Sequence, residues 1–194
     1  MIIKKTSFFT SMKNRSDYPN EKGLPEIAIA GKSNVGKSSL INYLAGNSKL
    51  AYVSKQPGKT RLINYFEFNG EFYLVDLPGY GFAKVSKAEK ISWGDMMQGY
   101  FEVSPNVKLL ILLMDIRHDP SAEDIDMINW AIEYKVPLLA VLTKADKIAK
   151  SKRNNCIFHM KKCINASEDY PMIAVSSKDK IGKEALLEML ENFI

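Results

Sequence analysis

Short apolar runs recur along the chain, separated by segments long enough to hold a helix. Runs at 26–30, 61–68, 71–76, 108–114, 137–142 and 171–175 are rich in Ile, Val, Leu and aromatic residues and predict six strands. The second and third alternate apolar with polar positions and meet at Asn69-Gly70, which predicts a two-residue hairpin and an antiparallel pair. Helix-length segments separate the other strands, so these are expected to lie parallel. Leu186, Leu187, Leu190 and Phe193 fall at helical spacing and predict a last helix from about residue 183. The expectation is an α/β fold: a six-stranded, mostly parallel sheet with one antiparallel edge strand and helices on both faces. Residues 46–60 and 77–105 lack an apolar period and read as long, functional or mobile loops. Residues 1–24, broken by Pro19 and Gly23, read as an N-terminal extension ahead of one domain spanning 25–194.

Composition narrows the class. With 194 residues and 46% hydrophobic content, the chain suits one globular domain. No apolar stretch approaches the roughly 20 residues that span a bilayer. The N-terminal segment is too short in apolar residues for a secretory signal, and neither a lipid-anchor motif nor a prenylatable cysteine is present. Cys156 and Cys163 lie seven apart on a predicted helix and read as free thiols in a reducing cytoplasm. His118 and His159 are isolated in the sequence, so no metal site is expected on them. The net charge of +5 is uneven: 144–162 and 46–63 are basic, whereas 115–133 is acidic. Such a basic side is compatible with RNA, and equally with ordinary solvated helix faces.

The chemistry lies at strand ends. Gly31-Lys32-Ser33-Asn34-Val35-Gly36-Lys37-Ser38 follows the first apolar run and opens a predicted helix, matching the phosphate-cradling pattern G-x-x-x-x-G-K-[ST]. Glycines let the backbone curl so that N–H groups face a polyphosphate; Lys37 places a cation by the β- and γ-phosphates, and the Ser38 hydroxyl suits Mg²⁺. Asp76-Leu77-Pro78-Gly79, Thr143-Lys144-Ala145-Asp146 and Val175-Ser176-Ser177 each end another run, on the edge where open α/β sheets bind nucleotides.

Asp146 distinguishes the base. A carboxylate accepts from both guanine N1–H and its exocyclic amine, a pair that adenine lacks. The Lys144 stem suits the base plane, the Ser176-Ser177 turn can offer N–H groups to O6, and the Thr143 hydroxyl can tether its loop to the phosphate loop. Thr60, in Gln56-Pro-Gly-Lys-Thr60, is the candidate second Mg²⁺ ligand beside Ser38, with Asp76 acting through water and the Gly79 N–H sensing the γ-phosphate. The expected catalytic residues are Lys37, Thr60 and Gly79. The expected nucleotide-binding set is Gly31, Lys32, Ser33, Asn34, Val35, Gly36, Lys37, Ser38, Gly58, Lys59, Thr60, Asp76, Leu77, Pro78, Gly79, Thr143, Lys144, Ala145, Asp146, Val175, Ser176 and Ser177. Tyr80 stands where Ras-like proteins carry a water-orienting Gln, so unaided hydrolysis is expected on the order of 10⁻⁴ s⁻¹.

These blocks, with Pro57-Gly-Lys-Thr-Arg-Leu-Ile-Asn64, Asp76-Leu-Pro-Gly-Tyr-Gly-Phe-Ala-Lys-Val85 and Met114-Asp-Ile-Arg-His118, resemble the EngB (YihA/YsxC) ribosome-biogenesis GTPases of the Era/TrmE-like group over nearly the whole chain. The resemblance implies a Ras-like G domain binding GTP or GDP with Mg²⁺, in a cytoplasmic protein needed for late assembly of the large ribosomal subunit. It also implies a link to cell division and septation. In that family Thr at position 143 is usual. Asn34 matches a position that in TrmE-like relatives helps bind K⁺; the alternative is an ordinary hydrogen bond within the loop. A monomer is expected when the protein is free. The rival reading is a nucleotide-gated interaction module at a division or membrane site, with hydrolysis only resetting binding. Lys49, Lys55, Lys59, Arg61, Lys84 and Lys87 are the candidate RNA contacts.

Overall fold

The computed structural model describes residues 1–52, 62–81 and 87–194, the side chains of 87–93 excepted. Its strands are β1 (Thr6–Met12), β2 (Glu26–Gly31), β3 (Ile63–Phe68), β4 (Phe72–Asp76), β5 (Val107–Asp115), β6 (Leu138–Thr143) and β7 (Met172–Ala174). Its helices are α1 (Lys37–Ala45), α2 (Lys87–Val103), α3 (Ala122–Glu133), α4 (Arg153–Cys163) and α5 (Lys183–Glu191). The strands form one sheet in the order β1-β3-β4-β2-β5-β6-β7. Neighbours from β4 through β7 are parallel, while β3 pairs antiparallel with both β1 and β4.

Among the described residues the sheet therefore has seven strands, not the six predicted, and the antiparallel strand is not at the edge. β1 covers it. Only Met12 of Thr6–Met12 is buried, and Phe9 falls where the β1–β3 register is interrupted, so the segment lacks the apolar run that marks an inner strand. Polar pairing holds it instead. The Asn69 carboxamide accepts from the N–H groups of Lys4 and Lys5 and donates to Ile2 O, stitching the chain start to the hairpin turn. Asn69 and Gly70 both have positive φ (56° and 73°), as the two-residue turn requires.

The second departure is α2, a 17-residue helix inside the stretch read as a loop. Its inward positions include Met97 and Tyr100, both buried, but Gly94 and Gly99 dilute the helical pattern. Gly99 has a packing reason: a Cβ there would lie 2.9 Å from Arg15 Nε, and Arg15 pairs with Glu102 one helical turn further on.

Inner strands are apolar on both faces because both faces are covered. Ile27 and Ile29 of β2, with Ile111 and Leu113 of β5, pack towards Leu40 and Leu44 of α1 and Leu186 and Leu190 of α5. Ala28, Ala30, Leu110 and Leu112 face Met97, Tyr100, Met127 and Met160 on α2, α3 and α4. Small alanines on that face leave room for the rings of Tyr65, Tyr73 and Tyr100. At the end of β2 remote from the phosphate loop, the buried Glu26 carboxylate accepts from Tyr18 Oη (2.6 Å), Asn20 Nδ2 (2.7 Å) and Tyr100 Oη (2.8 Å). Three donors satisfy the charge and bind the N-terminal segment to α2.

Candidate nucleotide-binding site

β2, β4, β6 and β7 all point their carboxyl ends the same way, so the four sequence blocks converge at one edge of the sheet. The phosphate loop runs from Gly31 at the end of β2 into α1. Gly31 is pressed against the neighbouring strand: a Cβ would come within 3.0 Å of Leu113 O and 2.9 Å of Val35 Cγ1. Gly36 has φ 114°, a backbone state that costs any other residue strain. The loop is also held from outside. Ser33 N donates to Tyr80 O (2.9 Å), and Gly79 lies so close that a Cβ would sit 3.1 Å from Ser33 Oγ. Leu77 and Pro78, which lead to Gly79, are buried, and Leu77 N donates to Ile29 O.

Asp76 ends β4 beside Ile29 of β2, and its Oδ1 accepts from Lys37 Nζ at 2.6 Å. Both side chains are largely shielded, at 13% and 11% exposed, which strengthens the pair over a surface ion bridge. Ser38, on the first turn of α1, and Asp76 supply a hydroxyl and a carboxylate, the hard oxygen donors Mg²⁺ takes. Lys32 reaches Glu123 at 3.7 Å, and Asn34 is exposed with φ 64°. Gly58, Lys59 and Thr60 lie outside the described residues, as do Lys55, Arg61, Lys84 and the Lys87 side chain.

The base end is knitted to the phosphate end. Thr143 Oγ1 donates to Val35 O at 2.7 Å, with Met114 O at 3.1 Å as a second acceptor within reach. Lys144, itself at φ 61°, donates from Nζ to Asn34 O (3.0 Å) and pairs with Asp115 (2.9 Å). Ala145 N donates to Val175 O, joining the loops after β6 and β7. Asp146 Oδ1 accepts from the buried Ser176 hydroxyl at 2.8 Å, and this bond, outweighing a smaller effect of burial, holds its carboxyl below the ordinary carboxylate value. The Ser176 N–H goes to Ile181 O, so it does not face outward with the turn. Ser177 is half-buried at the same turn.

Three further residues support the site: Asp115 and Tyr80 lie in motif blocks without an assigned contact, and Arg153 lies outside every motif. Burial alone would raise the Asp115 carboxyl, but hydrogen bonds from Arg117 and Lys144 overcome it and hold the group well below its usual range. Arg153, first in α4, donates from Nε to Ala145 O and brackets the base loop. Tyr80 turns away from the phosphate loop: its hydroxyl donates to Asp124 Oδ1 (2.6 Å) inside the core, where Asp124 also caps α3 through Ser121. Burial first, then the Asp124 charge, pushes the Tyr80 phenol far above its ordinary value, so it stays a donor.

A family model described as 50S ribosome-binding GTPase matches residues 26–144. The protein named Probable GTP-binding protein EngB in Alkaliphilus metalliredigens (strain QYMF) is 47% identical over 99% of this chain and 92% of its own length. The protein of the same name in Lactobacillus helveticus (strain DPC 4571) is 45% identical over 100% and 99%. Among solved structures, a probable GTP-binding protein engB superposes with a TM-score of 0.72 at 25% identity, covering 87% of this chain and 97% of that one. Aquifex aeolicus Era bound to GDP and AlF4⁻ shares the fold at a TM-score of 0.69 and 22% identity, over 88% of this chain and 57% of that one. With a family model across more than half of it and relatives close to half identical over nearly their whole lengths, the chain belongs to the EngB family of GTP-binding proteins and is a GTPase.

Proposed function

We propose that this GTPase is a slow, Mg²⁺-dependent guanine-nucleotide switch that acts in the cytoplasm, as a monomer, in assembly of the large ribosomal subunit. The observation that carries the nucleotide assignment is the Ser176–Asp146 bond, which holds an ionised acceptor at the base end while Lys144 and Thr143 tie that end to the phosphate loop. In this reading residues 25–194 form the GTP-binding unit and 1–24 an extension of it. Asp146 accepts from guanine N1–H and the exocyclic amine, and the N–H groups after Ser176, at Ser177 and Lys178, face O6. Lys37 exchanges its Asp76 partner for the β- and γ-phosphates, and the Gly79 N–H senses the γ-phosphate. Mg²⁺, held by Ser38 and Thr60 with Asp76 behind a water, would neutralise phosphate charge.

Slow turnover fits the commitment of Tyr80 to Asp124, because a side chain buried in the core cannot orient an attacking water. The ribosomal role, and the link to cell division, rest on family membership together with the basic segments. Lys49 is exposed in the turn after α1, and Lys161 and Lys162 lie on α4. Among the described residues no helix is long and apolar enough to cross a membrane. Co-sedimentation with 50S particles, against anionic liposomes, tests the partner. The expected result is binding to 50S particles, stronger with a non-hydrolysable GTP analogue than with GDP and falling with added salt. Retention on liposomes instead, or identical 50S binding in both nucleotide states, overturns the proposal.

A further inference from the structure

His159, isolated in the linear sequence, is not isolated in space. It lies one helical turn before Cys163 on α4, the two facing the same side. The loop after β5 brings Asp119 across to it. His159 Nε2 is 2.7 Å from Asp119 Oδ1 and 3.4 Å from Cys163 Sγ, and the three donor atoms all lie within 4.8 Å of one another. We propose that Asp119, His159 and Cys163 form a Zn²⁺-binding site that clamps the β5–α3 loop to α4.

The geometry separates this from two other uses of the same residue types. A nucleophilic Cys-His-Asp triad places thiol and carboxylate at opposite ring nitrogens, so that the acid orients the base. Here both face Nε2, which rules out that relay and surrounds one point with three donors. A plain His–Asp ion pair needs no thiol, yet Cys163 Sγ completes the ring of atoms. In a tetrahedral zinc site, bonds of about 2.0–2.3 Å put ligand atoms roughly 3.2–3.7 Å apart. The Nε2–Sγ spacing already fits. The Nε2–Oδ1 spacing must open by about half an ångström, which exposed side chains allow by small rotations.

Chemistry selects the ion. A thiolate and an imidazole suit Zn²⁺, whereas Mg²⁺ and Ca²⁺ prefer all-oxygen sets. The three side chains are exposed, and Asp119 and His159 border a cavity of about 450 Å³, so water can take the fourth position. Cys163 is the last residue of α4, where the negative end of the helix dipole favours a cation. Because an ionised carboxylate only accepts, the Nε2 nearest Asp119 carries a proton in the metal-free protein. Zinc at Nε2 would shift the ring proton to Nδ1 and release the thiol proton of Cys163 to solvent, so affinity rises with pH.

The rival donors are Cys156 and His118, which line the same cavity. The test uses full-length protein loaded with Mg²⁺ and GDP, so that the nucleotide site is already filled. Zn²⁺ is titrated while alkylation of each cysteine is followed by peptide mass spectrometry. Co²⁺ is titrated separately, and the thiolate-to-metal charge-transfer band is read, a signal that an all-oxygen site does not give. Expected are selective protection of Cys163 over Cys156 and a cobalt band lost in C163S. H159A and D119N should weaken binding by more than the roughly 10- to 100-fold typical of mere supporting residues, while C156S and H118A leave it unchanged. Cys163 alkylated at the same rate with and without Zn²⁺ overturns the site. So does a band surviving C163S, or one lost in C156S.

Discussion

Replacing Tyr80 by Phe asks whether this side chain serves the fold or the reaction. Its hydroxyl donates to Asp124 Oδ1 at 2.6 Å, and both residues are at most 5% exposed. A hydrogen bond to a charged acceptor contributes about 1.5–3 kcal/mol, and its loss leaves one oxygen of a buried carboxylate without its phenol donor. Ser121 still serves the other oxygen, so the α3 cap survives. For a chain of this size that loss lowers Tm by about 3–12 °C. Thermal unfolding is measured with Mg²⁺ and GDP saturating, so that ligand linkage is equal in both proteins. In a double-mutant cycle with Asp124→Asn, most of the loss should appear as coupling between the two sites. GTP turnover, measured below the transition, should change less than about threefold, since the reading places Tyr80 outside the path of the attacking water. A variant with unchanged Tm but turnover reduced tenfold or more would refute the reasoning, because the hydroxyl would then be acting on the reaction.

Asp146→Asn should lower GTP affinity by about 100-fold or more and favour xanthosine triphosphate, whose carbonyl pairs with the new amide, as competition binding will show. Ser176→Ala removes the hydroxyl that aims Asp146 and should weaken GDP about fivefold, read by calorimetry, equivalent to roughly 1 kcal/mol. Ser38→Ala should blunt the Mg²⁺ dependence of triphosphate binding; a titration indistinguishable from the parent would remove Ser38 from the metal site. If Asn34 holds a K⁺ ion that stabilises developing charge, turnover in K⁺ exceeds that in Na⁺ and Asn34→Ala erases the difference; equal rates in both salts reject the ion. Asp115 has a lowered pKa in the folded state, so its stabilisation is complete above the ordinary value near 3.8 and is lost as pH falls below it. Asp115→Asn should therefore lose less stability than the parent between about pH 5 and about pH 3 in denaturant titrations.

The sequence by itself determined the inner sheet and the four motif loops at its carboxyl edge. Ile27–Gly31, Leu109–Leu113 and Leu139–Leu142 are apolar on both sides because two helical layers cover them, and such runs announce themselves without a partner in view. The phosphate-loop pattern is likewise local: Gly31 through Ser38 hold the glycines, the lysine and the hydroxyl of G-x-x-x-x-G-K-[ST] in eight consecutive positions. Other features needed distant partners. β1 buries only Met12, so its place at the sheet edge depends on β3 and on Asn69 rather than on any pattern of its own. α2 became a helix where glycines hid its period, with Gly99 making way for Arg15. Side-chain direction was the other thing spacing could not decide. Tyr80 follows the glycine loop in the chain yet points to Asp124, 44 residues on, and Ser176 uses its hydroxyl to aim Asp146 while its N–H is taken by Ile181. The same holds for Asp119 and His159, which are 40 residues apart and share one hydrogen-bonding distance only because α4 packs beside the end of β5. A strand or loop pattern is written in neighbours along the chain; a donor set assembled from two distant segments exists only once the tertiary fold brings them together.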